Sequence, residues 1–208
     1  VGSIYIHNTV LSQFQTATNW TYYSKCFVGV GDATKPLLSF SDGVIYGDTG
    51  GIYSNFSTYL GVSKNSVISV DLPNCAIVGS STFRSYSSLQ SVNLPNCVFV
   101  SGSAFAQCSS LTSIDLPNCL SVGSNAFYSC KSLQSVNLPN CVFVSFYTFG
   151  YCSSLTSIDL PNCVNVDNGA FGNCSRLTSV NLPNCNYVGE NAFTNCSRLT
   201  SLYIGTSI

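Results

Sequence analysis

The chain has little charge, and this shortage limits what it can bind. Its 208 residues include 7 Lys and Arg against 8 Asp and Glu, so charged side chains make up only 7% of the sequence, well below the usual quarter. No basic cluster is present that could neutralise a phosphate backbone, and we expect no nucleic-acid partner. The polar surface must therefore consist of Ser, Thr, Asn and Gln, a composition common on secreted and surface proteins.

Histidine is nearly absent, which removes much of the usual catalytic chemistry. The single histidine, His7, lies near the start of the chain, so a Ser-His-Asp or Cys-His arrangement cannot be built around it. One histidine also cannot complete a zinc site of ordinary composition, and no phosphate-binding loop or H-E-x-x-H motif occurs. We predict no enzymatic activity, no cofactor and no metal site.

Long apolar runs and methionine are missing as well. No stretch approaches the 18 uninterrupted apolar residues of a membrane span, so we expect no direct membrane insertion by this segment. No secretory signal precedes the first repeats, and the sequence contains no Met. We interpret the sequence as a processed or excised piece of a longer protein.

The sequence is instead rich in self-similarity, with a 22-residue period. A representative unit is LTSIDLPNCLSVGSNAFYSCKS, residues 111–132, and it recurs without insertions. Six such units cover residues 67–198, and a partial seventh covers residues 199–208. Equivalent first positions are Val67, Leu89, Leu111, Leu133, Leu155, Leu177 and Leu199.

Each unit has two halves with different patterns. Apolar and polar residues alternate around Ile114–Leu116, which predicts a short strand with one buried face, and Pro117 ends that strand because it lacks an N–H group. In the second half, Ala126, Phe127 and Cys130 have the spacing of one inward-facing helical turn. Since a single unit cannot bury its apolar side alone, the units must stack. The predicted fold class is an α/β leucine-rich-repeat solenoid, with a parallel strand sheet on one face and short helical turns and loops on the other.

The repeat pattern L-x-x-I-x-L-P-x-x-x-x-V-G-x-x-A-F-x-x-C, found over residues 67–204, resembles the BspA-like leucine-rich repeats of bacterial surface proteins. The resemblance implies an extracellular protein, secreted or attached to the cell surface, that acts in adhesion. Its expected partner is a protein or glycan on a host or neighbouring cell. The alternative is a structural spacer or filament subunit that contacts only adjacent copies of the same module.

The segment before the repeats, residues 1–66, does not follow the repeat period. Its stretch GSIYIHNTVLSQFQTATNWTYYS resembles the closing segment at the C-terminal end of a BspA-like module. We therefore predict that residues 1–30 close a preceding module and that residues 31–36 form a linker. Residues 37–66 are then the N-terminal cap of the next module, whose solenoid is residues 67–208.

The cysteines recur at every eleventh position and form two predicted ladders. Two consecutive cysteines are separated by a strand of about eight residues, roughly 25 Å of extended chain, which excludes a disulfide between them. Neighbours within one ladder are expected about 5 Å apart, a distance that permits a bond, but parallel side-chain directions suit its geometry poorly. We predict buried free thiols that pack as small hydrophobic groups, with some disulfides as the alternative. The ladders contain Cys97, Cys108, Cys119, Cys130, Cys141, Cys152, Cys163, Cys174, Cys185 and Cys196.

The outward positions of the predicted strands are polar and form the candidate ligand-binding surface. One position alternates between Asp and Asn with a 44-residue period, and an intervening Asn separates the carboxylates and can hydrogen-bond to both neighbours. The alternative is a solvated ladder that only maintains solubility and register. The candidate residues are Gln90, Asn93, Thr112, Asp115, Gln134, Asn137, Thr156, Asp159, Thr178, Asn181 and Tyr203.

Overall fold

A computed structural model of the chain describes residues 4–7, 27–30, 37–48, 51–52 and 61–205. Two short strands come first: β1 (Ile4–His7) pairs in parallel with β2 (Phe27–Val30). The rest of the predicted closing segment and the predicted linker lie outside the described residues.

A hairpin precedes the repeats and continues into their sheet. Strands β3 (Leu37–Ser41) and β4 (Val44–Asp48) are antiparallel. Asp42 and Gly43 join them with positive φ angles of 51° and 80°, as a type I′ turn requires. Strand β4 then pairs in parallel with the first repeat strand, so the hairpin covers one edge of that sheet.

Each 22-residue coil, here called a rung, begins with a strand on a surface that we call the strand face. Successive strands are parallel and offset by one whole unit, so that Ser113 lies opposite Ser135. In the six full rungs a Leu-Pro pair ends the strand, because proline has no N–H to donate. The strands are β6 (Ser69–Asp71), β8 (Ser91–Asn93), β10 (Ser113–Asp115), β12 (Ser135–Asn137), β14 (Ser157–Asp159), β16 (Ser179–Leu182) and β18 (Ser201–Ile204).

A second, shorter strand in each rung forms a continuous seven-stranded parallel sheet. The asparagines at the corner between the two strands form a ladder from rung to rung, here called the corner ladder. Asn162 Nδ2 donates to the Pro139 carbonyl of the previous rung at 2.8 Å, and Asn96, Asn118, Asn140 and Asn184 repeat this bond. The strands of this sheet are β5 (Gly51–Ile52), β7 (Ile77–Val78), β9 (Phe99–Val100), β11 (Ser121–Val122), β13 (Phe143–Val144), β15 (Asn165–Val166) and β17 (Tyr187–Val188).

The third side of each rung, here called the turn side, does not contain the helical turn predicted from Ala126, Phe127 and Cys130. Three consecutive β-turns replace it: Ala126 N donates to Gly123 O, Tyr128 N to Asn125 O, and Cys130 N to Phe127 O. Among the described residues the only helix is the 3-10 turn Lys64–Ser66. The prediction of helical turns is therefore not confirmed, although the parallel-stranded leucine-rich-repeat solenoid is.

The turns arise from two left-handed residues in each rung. Asn125 and Ser129 have φ angles of 57° and 60°, and each occupies the third position of a turn, where positive φ gives a type II turn. The intervening N–H groups point along the solenoid instead of along the chain: Asn125 N donates to Phe146 O and Phe127 N to Thr148 O, both in the next rung. These bonds form a ladder along the turn side that links each rung to the next, as the second sheet also does.

The core is a stack of identical side chains inside these ladders. Phe83, Phe105, Phe127, Phe149, Phe171 and Phe193 form one column, whose neighbouring ring centroids are 5.2–5.5 Å apart. Leucine and valine columns surround it and are buried in the middle rungs, with a few members such as Val92 and Val136 only partly buried. Because every column repeats once per rung, each rung buries its apolar side against the next one.

Candidate functional site

The structure places the predicted ligand-binding residues together on the strand face. All of them are exposed except Asn181, which is half-buried. Apolar residues alternate with them and point inward: Ile114 and Ile158 are 2% exposed. Tyr203 is the most exposed aromatic side chain of this face, at 57%.

The Asp and Asn side chains of this face form separate pairs. Asn93 Nδ2 donates to Asp71 Oδ1 at 2.7 Å, and the pairs Asn137–Asp115 and Asn181–Asp159 repeat this bond at 2.8 Å. The structure shows no bond from an Asn to the Asp of the following rung among the described residues. Each Asn therefore uses only one of the two bonds open to it, and Oδ2 of each Asp is left to solvent or a partner.

The main chain explains why the bonds run in one direction. Within the described repeats, β6 pairs with β8, β10 with β12, and β14 with β16 and β18, whereas β8 and β10 belong to different sheets, as do β12 and β14. Where two strands pair, Leu72 N and Leu116 N also donate to the Asn carbonyl of the next rung. The 44-residue period of the sequence thus appears in the structure as a pairing of rungs on the strand face.

The neighbouring threonines bond to the backbone. Thr178 Oγ1 donates to the Thr156 carbonyl at 2.9 Å, and Thr200 Oγ1 donates to the Thr178 carbonyl at 3.3 Å. These hydroxyls therefore donate to the scaffold and can only accept from a partner. The strand face offers a partner mainly amide groups and the free carboxylate oxygens of every second rung.

The cysteines lie inside the solenoid in two columns, and those described carry free thiols. Cys26 lies outside the described residues. In the column after the strands, Cys119 Sγ donates to Ser121 O at 3.3 Å. In the column after the turns, Cys130 Sγ donates to Phe105 O of the previous rung at 3.1 Å.

Burial raises the pKa of these thiols. Desolvation raises the pKa of Cys108 and of Cys163 to about 12, and it raises the pKa of Cys119, Cys130 and Cys152 well above the ordinary value, with a neighbouring cysteine of the same column adding to the effect. A thiolate is the reactive form of cysteine. The raised pKa values therefore disfavour the thiolate of these cysteines in the folded chain.

The turn side holds an exposed aromatic cluster that the sequence analysis missed. It consists of Tyr128, Phe146, Tyr147 and Tyr151, and we call it the aromatic cluster. Ring centroids are 5.3 Å apart for Tyr128 and Tyr151, 6.3 Å for Tyr128 and Tyr147, and 4.5 Å for Phe146 and Tyr147, all edge to face. Phe146 is 44% exposed and Tyr151 is 43% exposed.

Two of these tyrosines occupy the left-handed positions of their rung. Tyr147 has φ 49° and Tyr151 has φ 61°, and a bulky residue in this region costs about 1–3 kcal/mol. Equivalent positions elsewhere hold small or amide residues, namely Ser81, Ser85, Ser103, Gln107, Asn125, Ser129, Gly169, Asn173, Asn191 and Asn195. The aromatic cluster is thus present despite a backbone cost that the other rungs avoid.

Three glycines, here together called the glycine bed, leave room for the Tyr147 ring. A Cβ added to Gly169 would lie 2.7 Å from the ring, and one added to Gly150 would lie 2.8 Å from it. Gly172 completes the bed, with the ring 3.7 Å from its added Cβ. The signal available in the sequence was that aromatic residues and glycines replace polar residues together in two adjacent repeats.

Metal sites and membrane spans were the other possibilities for the described part of the chain. No group of three His, Cys, Asp or Glu there is arranged to hold a metal ion. No helix in the described part is long and apolar enough to cross a membrane.

Comparisons with known proteins address the fold. A family model described as the BspA type leucine rich repeat region, in six copies, matches residues 62–162 and 99–208. A leucine-rich-repeat protein of T. pallidum has 22% identity and a TM-score of 0.57, with 81% of this chain and 90% of that chain covered. No protein with a curated description matches the sequence.

Two further solved structures are more distant. A leucine-rich cell surface protein of Faecalibacterium prausnitzii has 18% identity and a TM-score of 0.39, covering 82% of this chain and 68% of its own. A leucine-rich-repeat protein of Bacteroides ovatus has 15% identity and a TM-score of 0.34, covering 82% of both chains. With six repeat copies matched over residues 62–208, the chain belongs to the BspA type leucine-rich-repeat family.

Proposed function

We propose that this chain is an extracellular recognition module that binds a protein or a glycan through its strand face. Leucine-rich-repeat proteins generally mediate protein interactions or adhesion, and the fold is typically a binding scaffold instead of an enzyme. Membership of the BspA type family supports a location at the cell surface or outside the cell.

One observation carries the proposal. Asp71, Asp115 and Asp159 lie on an exposed face, and each carboxylate accepts one bond from Asn through Oδ1. The Asn fixes the orientation of the carboxylate, while Oδ2 remains able to accept from a partner. Because the carboxylates recur every second rung, about 10 Å apart, they match a partner with regularly spaced donors.

The test uses Asp→Asn changes, which remove the charge and keep the Asn–Asp hydrogen-bond geometry. The double variant Asp115→Asn/Asp159→Asn and the unchanged chain are applied to an array of purified secreted proteins and immobilised glycans. We expect the unchanged chain to bind at least one array member and the variant to bind it about tenfold or more weakly. Glu190→Gln, which removes an exposed carboxylate on another side of the rung, serves as the matched control and should leave binding unchanged.

A spacer or filament subunit is the second candidate function. The continuous ladders of hydrogen bonds along the second sheet and the turn side favour it, because they fix length and stiffness whether or not a ligand exists. Its signature is a chain that binds no array member and forms regular end-to-end assemblies in electron micrographs. That result would overturn the recognition proposal.

The proposal for the cysteines is that they remain reduced and structural. Their thiols donate to backbone carbonyls at 3.1–3.4 Å, and a disulfide would remove those donors. Titration with a thiol reagent should find the ladder cysteines protected in the folded chain and reactive in denaturant without prior reduction. If denatured, unreduced protein still lacked reactive thiols, the proposal would fail.

A further inference from the structure

The aromatic cluster lies away from the strand face, and nothing in the proposed function uses it. We propose that the aromatic cluster is a second binding site, which takes a neutral glycan by stacking sugar rings on the exposed faces of Tyr151 and Phe146.

Charge points to a neutral partner. The turn-side segments of four consecutive rungs, residues 102–107, 124–129, 146–151 and 168–173, contain no charged side chain. The equivalent segments of the flanking rungs carry Arg84 and Glu190. These segments therefore offer an ionic ligand no charged side chain of their own, whereas the apolar C–H face of an uncharged sugar suits an aromatic ring, whose face is electron-rich.

Polar groups lie where the hydroxyls of a stacked sugar would reach. Ser129 and Asn173 occupy the same repeat position as Tyr151, one rung before it and one rung after it, about 4.8 Å away along the solenoid. Asn173 Oδ1 accepts from Asn195 Nδ2 at 2.9 Å, which orients the amide and leaves its own nitrogen to donate. An aromatic platform with a hydroxyl and an amide beside it is the usual combination in sites that bind hydroxyl-rich ligands.

The cluster also has features that packing alone does not account for. The Tyr147 ring packs against Gly150 and Gly169, and this contact holds it in place within the aromatic cluster. Phe146 and Tyr151 remain 44% and 43% exposed, although Tyr151 holds a left-handed backbone where Asn or Ser would serve the fold better. Strained residues that stay exposed are typical of binding sites.

The experiment measures binding of defined oligosaccharides to the full 208-residue chain. The probes are cellohexaose, chitohexaose and mannohexaose as neutral ligands and a galacturonate hexamer as an anionic one, each followed by saturation-transfer NMR and calorimetry. We expect binding of at least one neutral probe with a Kd of about 0.1–1 mM. Tyr151→Asn, which installs the residue of two other rungs, should weaken it about tenfold or more.

The control is Tyr187→Asn, which removes an aromatic side chain of similar exposure, 51%, on the second sheet and outside the cluster. It should bind the neutral probe as the unchanged chain does. Circular dichroism checks that both variants keep the fold. Four results would each overturn the proposal. The first two are absence of binding to all three neutral probes at about 10 mM and equal loss of affinity in both variants. The other two are preference for the galacturonate hexamer and a cluster that binds only protein ligands. Failure here leaves the strand-face proposal intact, since that proposal depends on Asp115 and Asp159.

Discussion

Raising the pH should unfold this chain abruptly, because many buried thiols must stay protonated in the fold. A group whose pKa is higher in the folded chain than in the unfolded chain stabilises the fold fully below the unfolded pKa. That stabilisation is lost as the pH rises towards the folded pKa. For Cys108 and Cys163 the window runs from the ordinary value of 9.0 to about 12. Burial is the first cause of the raised pKa in every case, and eight fully buried cysteines share it: Cys97, Cys108, Cys119, Cys130, Cys141, Cys152, Cys163 and Cys174.

The magnitude follows from linkage. At pH 10, one unit above the ordinary pKa, each such thiol lowers the free energy of unfolding by about 1.4 kcal/mol. Eight of them together remove on the order of 11 kcal/mol, which is comparable with the whole stability of an ordinary domain. We therefore expect the chain to unfold between about pH 9.5 and 10.5.

The assay is circular dichroism in the presence of a phosphine reductant, combined with urea melts at each pH from 7 to 11. The control is the double variant Cys108→Ala/Cys163→Ala, which should lose about 3 kcal/mol less than the unchanged chain between pH 8 and pH 10. A free energy of unfolding that stays constant to pH 11 would refute the reasoning, since it would mean that the thiols are solvated or already bonded.

Three further predictions concern single positions. Asn118→Ala removes the corner bond to the Pro95 carbonyl and should lower the free energy of unfolding in urea by about 1 kcal/mol. Tyr151→Asn relieves a left-handed tyrosine at φ 61° and should raise the melting temperature, with a gain of roughly 0.5–1 kcal/mol after the lost ring contact. Gly169→Ala places a Cβ 2.7 Å from the Tyr147 ring and should lower the free energy of unfolding by about 2–3 kcal/mol. In a Tyr147→Asn background the loss should be about 1 kcal/mol smaller, as a double-mutant cycle in urea would show.

Each of these has an outcome that would contradict it. The control for Asn118→Ala is Asn165→Ala, a change at a polar residue outside the corner ladder. Its free energy of unfolding should stay within about 0.5 kcal/mol of the unchanged chain. If both variants lost the same free energy of unfolding, the corner bond would not explain the effect of Asn118→Ala. If Tyr151→Asn destabilises the fold, the strain argument is wrong. If the effects of Gly169→Ala and Tyr147→Asn on the free energy of unfolding simply add, Gly169 is not needed to leave room for the Tyr147 ring.

The stacking of rungs was predictable because the strand positions and the core columns both recur with the 22-residue period of the sequence. Alternation around Ile114 gave the strand face, and the 22-residue spacing gave the parallel register that pairs Ser113 with Ser135. The second sheet was harder to see, because a strand of two residues such as Ser121–Val122 shows no alternation. Domain boundaries within residues 1–66 stay predictions.

The turns were misjudged because two structures share one spacing. Ala126, Phe127 and Cys130 face inward in a helical turn and equally in a chain of β-turns. What separates them is the backbone at Asn125 and Ser129, whose equivalents in other rungs are Ser, Asn, Gln, Gly and Tyr. Asn, Ser and Gly recurring at every fourth position were the available signal for left-handed residues.

The binding surfaces were only partly predictable for a similar reason. The sequence placed the polar strand positions on one face, but the one-sided bond from Asn137 to Asp115 depends on which strands pair, which the repeat alone does not reveal. The aromatic cluster was not predicted, because Phe146 and Tyr151 interrupt the repeat pattern of the turns in a single rung.

The central claim is that the chain is built from interchangeable 22-residue rungs, and deletion tests it most directly. Removing residues 111–154, two whole rungs, rejoins Ser110 to Leu155 and keeps the Asn–Asp junction at Asn93, so every column continues. Removing residues 111–121, half a rung, shifts every later column to the wrong side of the coil. The account predicts that circular dichroism and urea melts show a cooperative fold for the first deletion and an unfolded chain for the second. Equal behaviour of the two deletions would contradict it.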